Sequence, residues 1–474
     1  MVLVKVTNEF IKIIKEPPGP KARKLLEREA KVFHQGSIDR LYALFSRKVE
    51  GALVEDVDGN RYLDFEAGSG SMGLGGAYPE LVETIKSEIA NMAHISYPFL
   101  NEVVISLAEK LIEITPGKFK KKVAIEATGS TGNDLAFKLA RFYTRRPQFI
   151  SYIGSHCGFT VADVALDGHY SAQRRGMQIG GLVYGVVHIP YPYCYRCLFG
   201  LEYPDCGLRC LDYLKNEIMT TIAPPEDIAG VLFEPILGPG GVVVPPKDYM
   251  PNLKELCKEK GILLVADEIW TFAKTGKMFA SEHWGVEPDG IVIGKTLGGG
   301  IMPISAVVMK EEVFAGLEAG ATSSTYNGYP LGCLTALKTI EIIQRESLLE
   351  KSESLGNYVI KRLRELQEKH EMIGDVRGKG LAIATEWVKD RKTKEPAVEE
   401  TLKISFRAFQ KGLLLEFAGL KGNVIKLAPP LVVTKDQVDK ALNIFEEAIK
   451  DVEKGKVSLP SDWPSFYAVT SGFK

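Results

Sequence analysis

Short apolar blocks alternate with longer stretches of mixed character through the middle of the chain, and the two periods predict strands separated by helices. Residues 122–126, 149–153, 229–234, 262–266 and 290–294 are largely apolar at consecutive positions, as strands covered on both faces must be. Between them, residues 134–145 and 250–260 space their apolar side chains as one face of a helix. Strands and helices alternating from about residue 80 to 335 predict an α/β fold around a mostly parallel sheet.

The flanks read differently. Residues 52–65 predict a hairpin turning at Asp58-Gly59-Asn60. The stretch from Ala67 to Gly76 is rich in glycine and is expected to be irregular, lining a cleft. Beyond residue 335 the pattern returns to helices with a few strands. There Thr434-Lys-Asp-Gln437 forms a capping box ahead of a helix carrying Val438, Leu442, Phe445 and Ile449 on one face.

Composition narrows the function classes. With 59 basic against 60 acidic residues in 474, the net charge is −1, which leaves no basic surplus for nucleic acid and no field for a membrane surface. The longest apolar runs are strand-sized, well below the roughly 20 residues of a bilayer span. The start, Met1-Val-Leu-Val-Lys5, interrupts its apolar residues with charge and shows no cleavage pattern, so a cytoplasmic protein is expected. Few glutamines beside abundant Lys and Glu lean toward a thermophilic source. Cys194, Cys197, Cys206 and Cys210 lie close together. Their spacing suits a structural tetrahedral metal, two disulfides or free thiols in a loop.

The chemistry sits where strands end. The strand at 262–266 runs into Asp267-Glu268 and the strand at 290–294 into Lys295; the carboxyl ends of strands form the ligand crevice of open α/β sheets. On their own, the acid and the amine could be an ion pair. A third signal is Thr128-Gly129-Ser130-Thr131-Gly132, set between a strand and a helix, where free amides and the helix dipole cradle a phosphate. Cradle, carboxylate and lysine together match the needs of pyridoxal 5'-phosphate. The amine binds its aldehyde, the acid keeps the ring nitrogen protonated, and the cradle anchors its phosphate.

The chain resembles the class III aminotransferases, a fold-type I family dependent on pyridoxal phosphate that holds ornithine and 4-aminobutyrate aminotransferases together with some amino-acid racemases. The likeness runs from Asp56-Val-Asp-Gly-Asn60 through Glu234-Pro235, Asp267-Glu-Ile-Trp-Thr271 and Pro288-Asp-Gly-Ile-Val-Ile-Gly-Lys295. It continues into Gly374-Asp-Val-Arg-Gly-Lys-Gly380 and Ala428-Pro-Pro-Leu431. It implies a large domain at 67–335 with a mostly parallel sheet. A smaller α+β domain at 336–474 is joined by an N-terminal segment, 1–66. By position Lys295 matches the Schiff-base lysine, Asp267 the partner of the ring nitrogen, and Gly129 and Ser130 the phosphate turn. Ile269 matches the residue under the ring, and His156 stands where an aromatic ring stacks on the cofactor. Thr325 matches a threonine that reaches the phosphate of a neighbouring subunit, which implies a homodimer. Ser69 and Lys426 are candidate substrate contacts.

Departures from the family pattern bear on the reaction. Lys426 replaces an arginine that would hold a carboxylate with two prongs. Leu237 and Pro239 replace a glutamine and an acid, and Trp270 replaces a glutamine. A tryptophan at that place either narrows the pocket or turns into the core. All candidate reactions begin with the Lys295 amine taking the substrate's Cα proton. Return of a proton to Cα from the opposite face racemises; return to the cofactor transaminates. The chain's ends resemble archaeal family members that include racemases, so racemisation of a small amino acid such as alanine or serine is the leading expectation. Transamination of a 4-aminobutyrate, ornithine or small amino-acid type is the alternative. With Pro239 where family racemases can carry an acid, the second proton carrier has no obvious candidate; Cys157, a serine and water are open.

Overall fold

The computed structural model describes residues 10–34, 42–92, 94, 101–169, 173 and 185–460. Near the start, strands β1 (Ser46–Glu50), β2 (Leu53–Asp56) and β3 (Arg61–Asp64) form an antiparallel meander. Its expected turn is built by Asp56, whose carboxylate accepts the backbone N–H groups of Asp58 and Asn60 at 2.9 and 2.8 Å. Gly59 takes the positive φ of 89° that this turn requires.

The central sheet holds seven strands: β4 (Lys121–Glu126), β5 (Gln148–Ile153), β6 (Val186–Pro190), β7 (Ile228–Phe233), β8 (Leu263–Asp267), β9 (Gly290–Ile293) and β10 (Ser305–Lys310). Their order is β4-β10-β9-β8-β7-β5-β6. Strands β5 to β9 run parallel, and only β10 is antiparallel to both its neighbours. Every residue of β7, β8 and β9 is buried, which explains their unbroken apolar pattern. Strands β6 and β10 are additions to the sequence expectation. The first is a half-buried edge strand whose Val-Val-His-Ile-Pro carries a histidine and a proline, so no apolar run marks it.

The helix expected at 134–145 begins earlier, spanning Gly129–Thr144, because Thr128 and Thr131 form a capping box at its start. Gly129 and Ser130 are therefore the first helical residues, with their amides free of helical partners.

In the C-terminal part β11 (Ile373–Lys379), β12 (Ala382–Asp390) and β13 (Glu395–Pro396) precede β14 (Leu413–Leu414), β15 (Glu416–Ala418) and β16 (Val424–Leu427). A sheet ordered β11-β12-β16-β15 packs under helices, while β14 crosses over to lie parallel beside β3. The N-terminal meander is thus completed by the far end of the chain. The capping box at Thr434 is present and opens helix Lys435–Glu453, which buries Val438, Leu442, Phe445 and Ile449.

The glycine-rich stretch corrects an expectation. Ala67, Gly68, Ser69 and Gly70 all take left-handed φ values, 52°, 60°, 52° and 77°, so this is a fixed turn. Glu66 holds it by accepting the N–H of Gly68 at 2.9 Å and both the N–H and the hydroxyl of Ser69. Among the described residues no helix is long and apolar enough to cross a membrane.

Candidate active site

Strand β8 delivers Asp267 to the end of the sheet, fully buried. Its Oδ2 accepts the side-chain amide of Asn133 at 2.7 Å and its Oδ1 the N–H of Ile269 at 3.0 Å. Burial raises the Asp267 carboxyl above its ordinary range, and these two donors pull it back. The next residue, Glu268, points to the other face, as strand alternation requires. It accepts the N–H groups of Ala280 and Ser281 at 2.9 and 2.8 Å and serves that loop, not the crevice.

Lys295 follows β9 with a left-handed φ of 44°, a strained posture for a residue with a side chain. Burial lowers its ammonium below the ordinary lysine range, and the charge of Lys426 adds to the effect. Ile269 sits between the lysine loop and the cradle. A Cβ on Gly129 would come within 2.9 Å of its side chain, and one on Gly294 within 3.5 Å. Cradle, isoleucine, acid and lysine are therefore brought together. Ser130 accepts the N–H of Phe159 on its hydroxyl at 3.2 Å.

His156 is fixed from two sides. Its N–H donates to Glu234 Oε1 at 2.9 Å, and its ring Nδ1 meets Asp167 Oδ2 at 2.7 Å. Glu234 also accepts the N–H of Gly238 at 2.9 Å. Burial, then the charge of Asp267, push Glu234 up to about 8. Cys157 is buried next to His156 and its thiol is pushed well up by burial and by Asp267, a poor proton donor.

Across from the cradle, Trp270 is buried among Ile236, Val242, Ala384 and Val424. Gly70 lets its indole approach, since a Cβ there would meet Nε1 at 2.8 Å. Lys426 is only 1% exposed, and its ammonium forms an ion pair with Glu416 at 2.7 Å across the β15–β16 ladder. The same ammonium lies 5.1 Å from the centre of the Trp270 ring. Ser69 is engaged with Glu66, and Thr325 lies on an exposed surface turn. Asn133 escaped the sequence reading; its one signal is a polar residue on the buried face of the helix, one turn past Gly129.

The residues present fit pyridoxal phosphate: free amides at a helix start for the phosphate, a buried acid for the ring nitrogen, and a buried amine for the aldehyde.

The four cysteines of the 194–210 stretch stand around one cavity. Cys194, Cys197, Cys206 and Cys210 line it with Tyr191 and Phe199, but all are free thiols. Among the described residues no three His, Cys, Asp or Glu side chains converge as a metal site. Cys194 stands exposed on its turn while the others are half-buried.

Residues 36–449 match the model of Aminotransferase class-III. The chain is 41% identical to an alanine/serine racemase of Pyrococcus horikoshii, with 95% of each chain covered. It is 35% identical to a probable 4-aminobutyrate aminotransferase of Bacillus subtilis, over 85% of this chain and 92% of that one. Among solved structures, an amine transaminase of an uncultivated Pseudomonas species in its PLP-bound form superposes with a TM-score of 0.81 at 28% identity, covering 89% of this chain and 98% of that one. The chain belongs to the class III aminotransferase family and is an enzyme dependent on pyridoxal phosphate.

Proposed function

We propose that this enzyme racemises small neutral amino acids of the alanine and serine kind. The observation that carries the reading is the commitment of Lys426 to Glu416 at 2.7 Å. An aminotransferase working with glutamate and 2-oxoglutarate must hold a second carboxylate. Here the cation facing that task is a lysine already paired with an acid, and it lacks the guanidinium's two-pronged fit. The 41% identity to an alanine/serine racemase along almost the whole chain supports the same reading.

When bound, pyridoxal phosphate supplies an electron-withdrawing ring that acidifies the substrate's Cα–H. The protein's part is positional and protonic. The first-turn amides of Gly129 and Ser130 would hold the phosphate, and Asp267, steadied by Asn133, would hold the proton on the ring nitrogen. His156, pinned by Glu234 and Asp167, would cover the ring. Lys295 carries the Cα proton, and its lowered ammonium makes the amine more readily available as a base. Thr325 on its exposed turn would complete the phosphate site of a second copy, making the working unit a homodimer.

Transamination of a small or ω-amino acid is the second reading, favoured by the 35% identity to the 4-aminobutyrate aminotransferase. Holoenzyme incubated with L-alanine and no keto acid, followed by chiral analysis, separates the two. D-alanine is the expected product. Pyruvate appearing only when 2-oxoglutarate is added, with no D-alanine, rejects the racemase.

A further inference from the structure

Racemisation needs a proton carrier on each side of Cα, and the acid expected beside Glu234-Pro235 is absent because Pro239 occupies its place. The structure brings to that residue a segment that follows another acid. The N–H of Gly419 donates to the carbonyl of Pro239 at 3.0 Å. This ties the connection after β15 to that very residue, and Glu416 begins the strand. Glu416 enters from the small-domain sheet, on the strand paired with Lys426.

Its carboxylate is half-committed. Oε1 takes the Lys426 ammonium at 2.7 Å. Oε2 is buried and has no hydrogen-bond partner among the described residues. A buried carboxylate oxygen left bare is costly, and such atoms call for a functional reason. The Trp270 indole N–H beside the same ammonium is also buried without a partner. Both Lys426 and Glu416 act on the Lys295 amine, the first lowering and the second raising its ammonium.

Resting on the racemase reading above, we propose that Glu416 is the second proton carrier, working across Cα from Lys295 and held in place by Lys426. For the enantiomer whose Cα–H faces it, Glu416 Oε2 takes the proton as the C–H bond breaks. The Lys295 ammonium gives a proton to the other face, and the electron pair left by the first bond forms the new one. Glu416 ends protonated and Lys295 neutral. The opposite enantiomer runs the same steps in reverse and restores both groups.

The test uses holoenzyme in deuterium oxide with L-alanine and D-alanine separately, following loss of the Cα proton and chirality together. In Glu416→Gln, racemisation should fall at least about a hundredfold, the usual scale for a lost acid–base group. One enantiomer should still exchange its Cα proton through Lys295 without inverting, and the other should scarcely exchange. Equal slowing of Cα-proton exchange for both enantiomers, or racemisation near the wild-type rate, overturns the proposal. If Glu416→Gln loses the visible absorption of its bound cofactor, Glu416→Asp decides: slower Cα-proton exchange confined to one enantiomer supports the role, and equally slowed exchange overturns it. Wild-type enzyme that racemises no amino acid overturns the underlying reading instead, before any variant is made.

Discussion

The side-chain amide of Asn133 donates to Asp267 at 2.7 Å and, from the same nitrogen, to the carbonyl of Cys157 at 2.7 Å. One residue thereby couples the cradle helix, the end of β8 and the loop bearing His156. A buried acid without donors is driven toward its neutral form, and Asp267 would then grip the cofactor ring less well.

Replacing Asn133 with Ala removes both bonds from a buried acid and carbonyl. The loss of one charge-assisted bond is about 1.5–3 kcal/mol, so cofactor affinity should drop about tenfold or more. Titration of cofactor-free protein with pyridoxal phosphate, read by visible absorption, checks it. Unchanged affinity would show that Asp267 is held well enough by Ile269 alone.

Much of this site is written locally and is therefore readable. Lys295, Asp267 and the Thr128–Gly132 turn each follow an apolar run, so strand ends announce them. What stayed hidden depends on contacts between distant segments. Glu416 and Lys426 face each other only because β15 pairs with β16 in one register. Asn133 matters only because its helix starts at Gly129 and so aims residue 133 at the sheet. The left-handed turn at 67–70 exists because Glu66 caps it, which glycine content alone does not reveal. The edge strand β6 lacked the apolar run that marks buried strands, while β10 carries one, Ala306-Val-Val-Met309, that the sequence expectation left out.

Glu234 gives the cofactor-free enzyme a pH-dependent stability. Burial keeps its carboxyl protonated up to about 8, against an ordinary 4.5 in the unfolded chain. Between those values the folded state holds a proton that the unfolded state has released. The stabilisation is therefore complete below 4.5 and is lost as pH rises through about 8. Melting temperature followed across that window should fall with rising pH, and Glu234→Gln should flatten the slope. An equal slope in the variant would assign the dependence to other groups.

The proposed homodimer predicts complementation. Thr325→Ala should weaken cofactor binding through the phosphate, and Lys295→Ala should abolish turnover through the amine. If Thr325 serves the neighbour's phosphate, a hybrid of the two variants contains one site with both defects and one with neither. Mixed and re-associated, the variants should recover activity that neither shows alone. Failure to recover, with hybrids present, would place Thr325 in its own subunit's site or outside any site.

If Trp270 sets the size of substrate accepted, replacing it should change specificity. Its indole fills the space between Gly70 and Gly238, where added Cβ atoms would come within 2.8 and 3.1 Å, and it stands against the Lys426 ammonium. Two effects compete in Trp270→Ala. Loss of a buried indole costs about 3–5 kcal/mol of stability. The space it vacates lies beside the corner where Lys426 and Glu416 meet, and a longer side chain could enter there. Small substrates should lose activity as the corner loosens, while leucine- or methionine-sized ones should gain relative to alanine. The ratio of kcat/KM values for the long and short amino acids checks this, with Trp270→Phe expected to fall between. A ratio that stays constant while the melting temperature drops would mean that Trp270 is a core residue with no say in specificity.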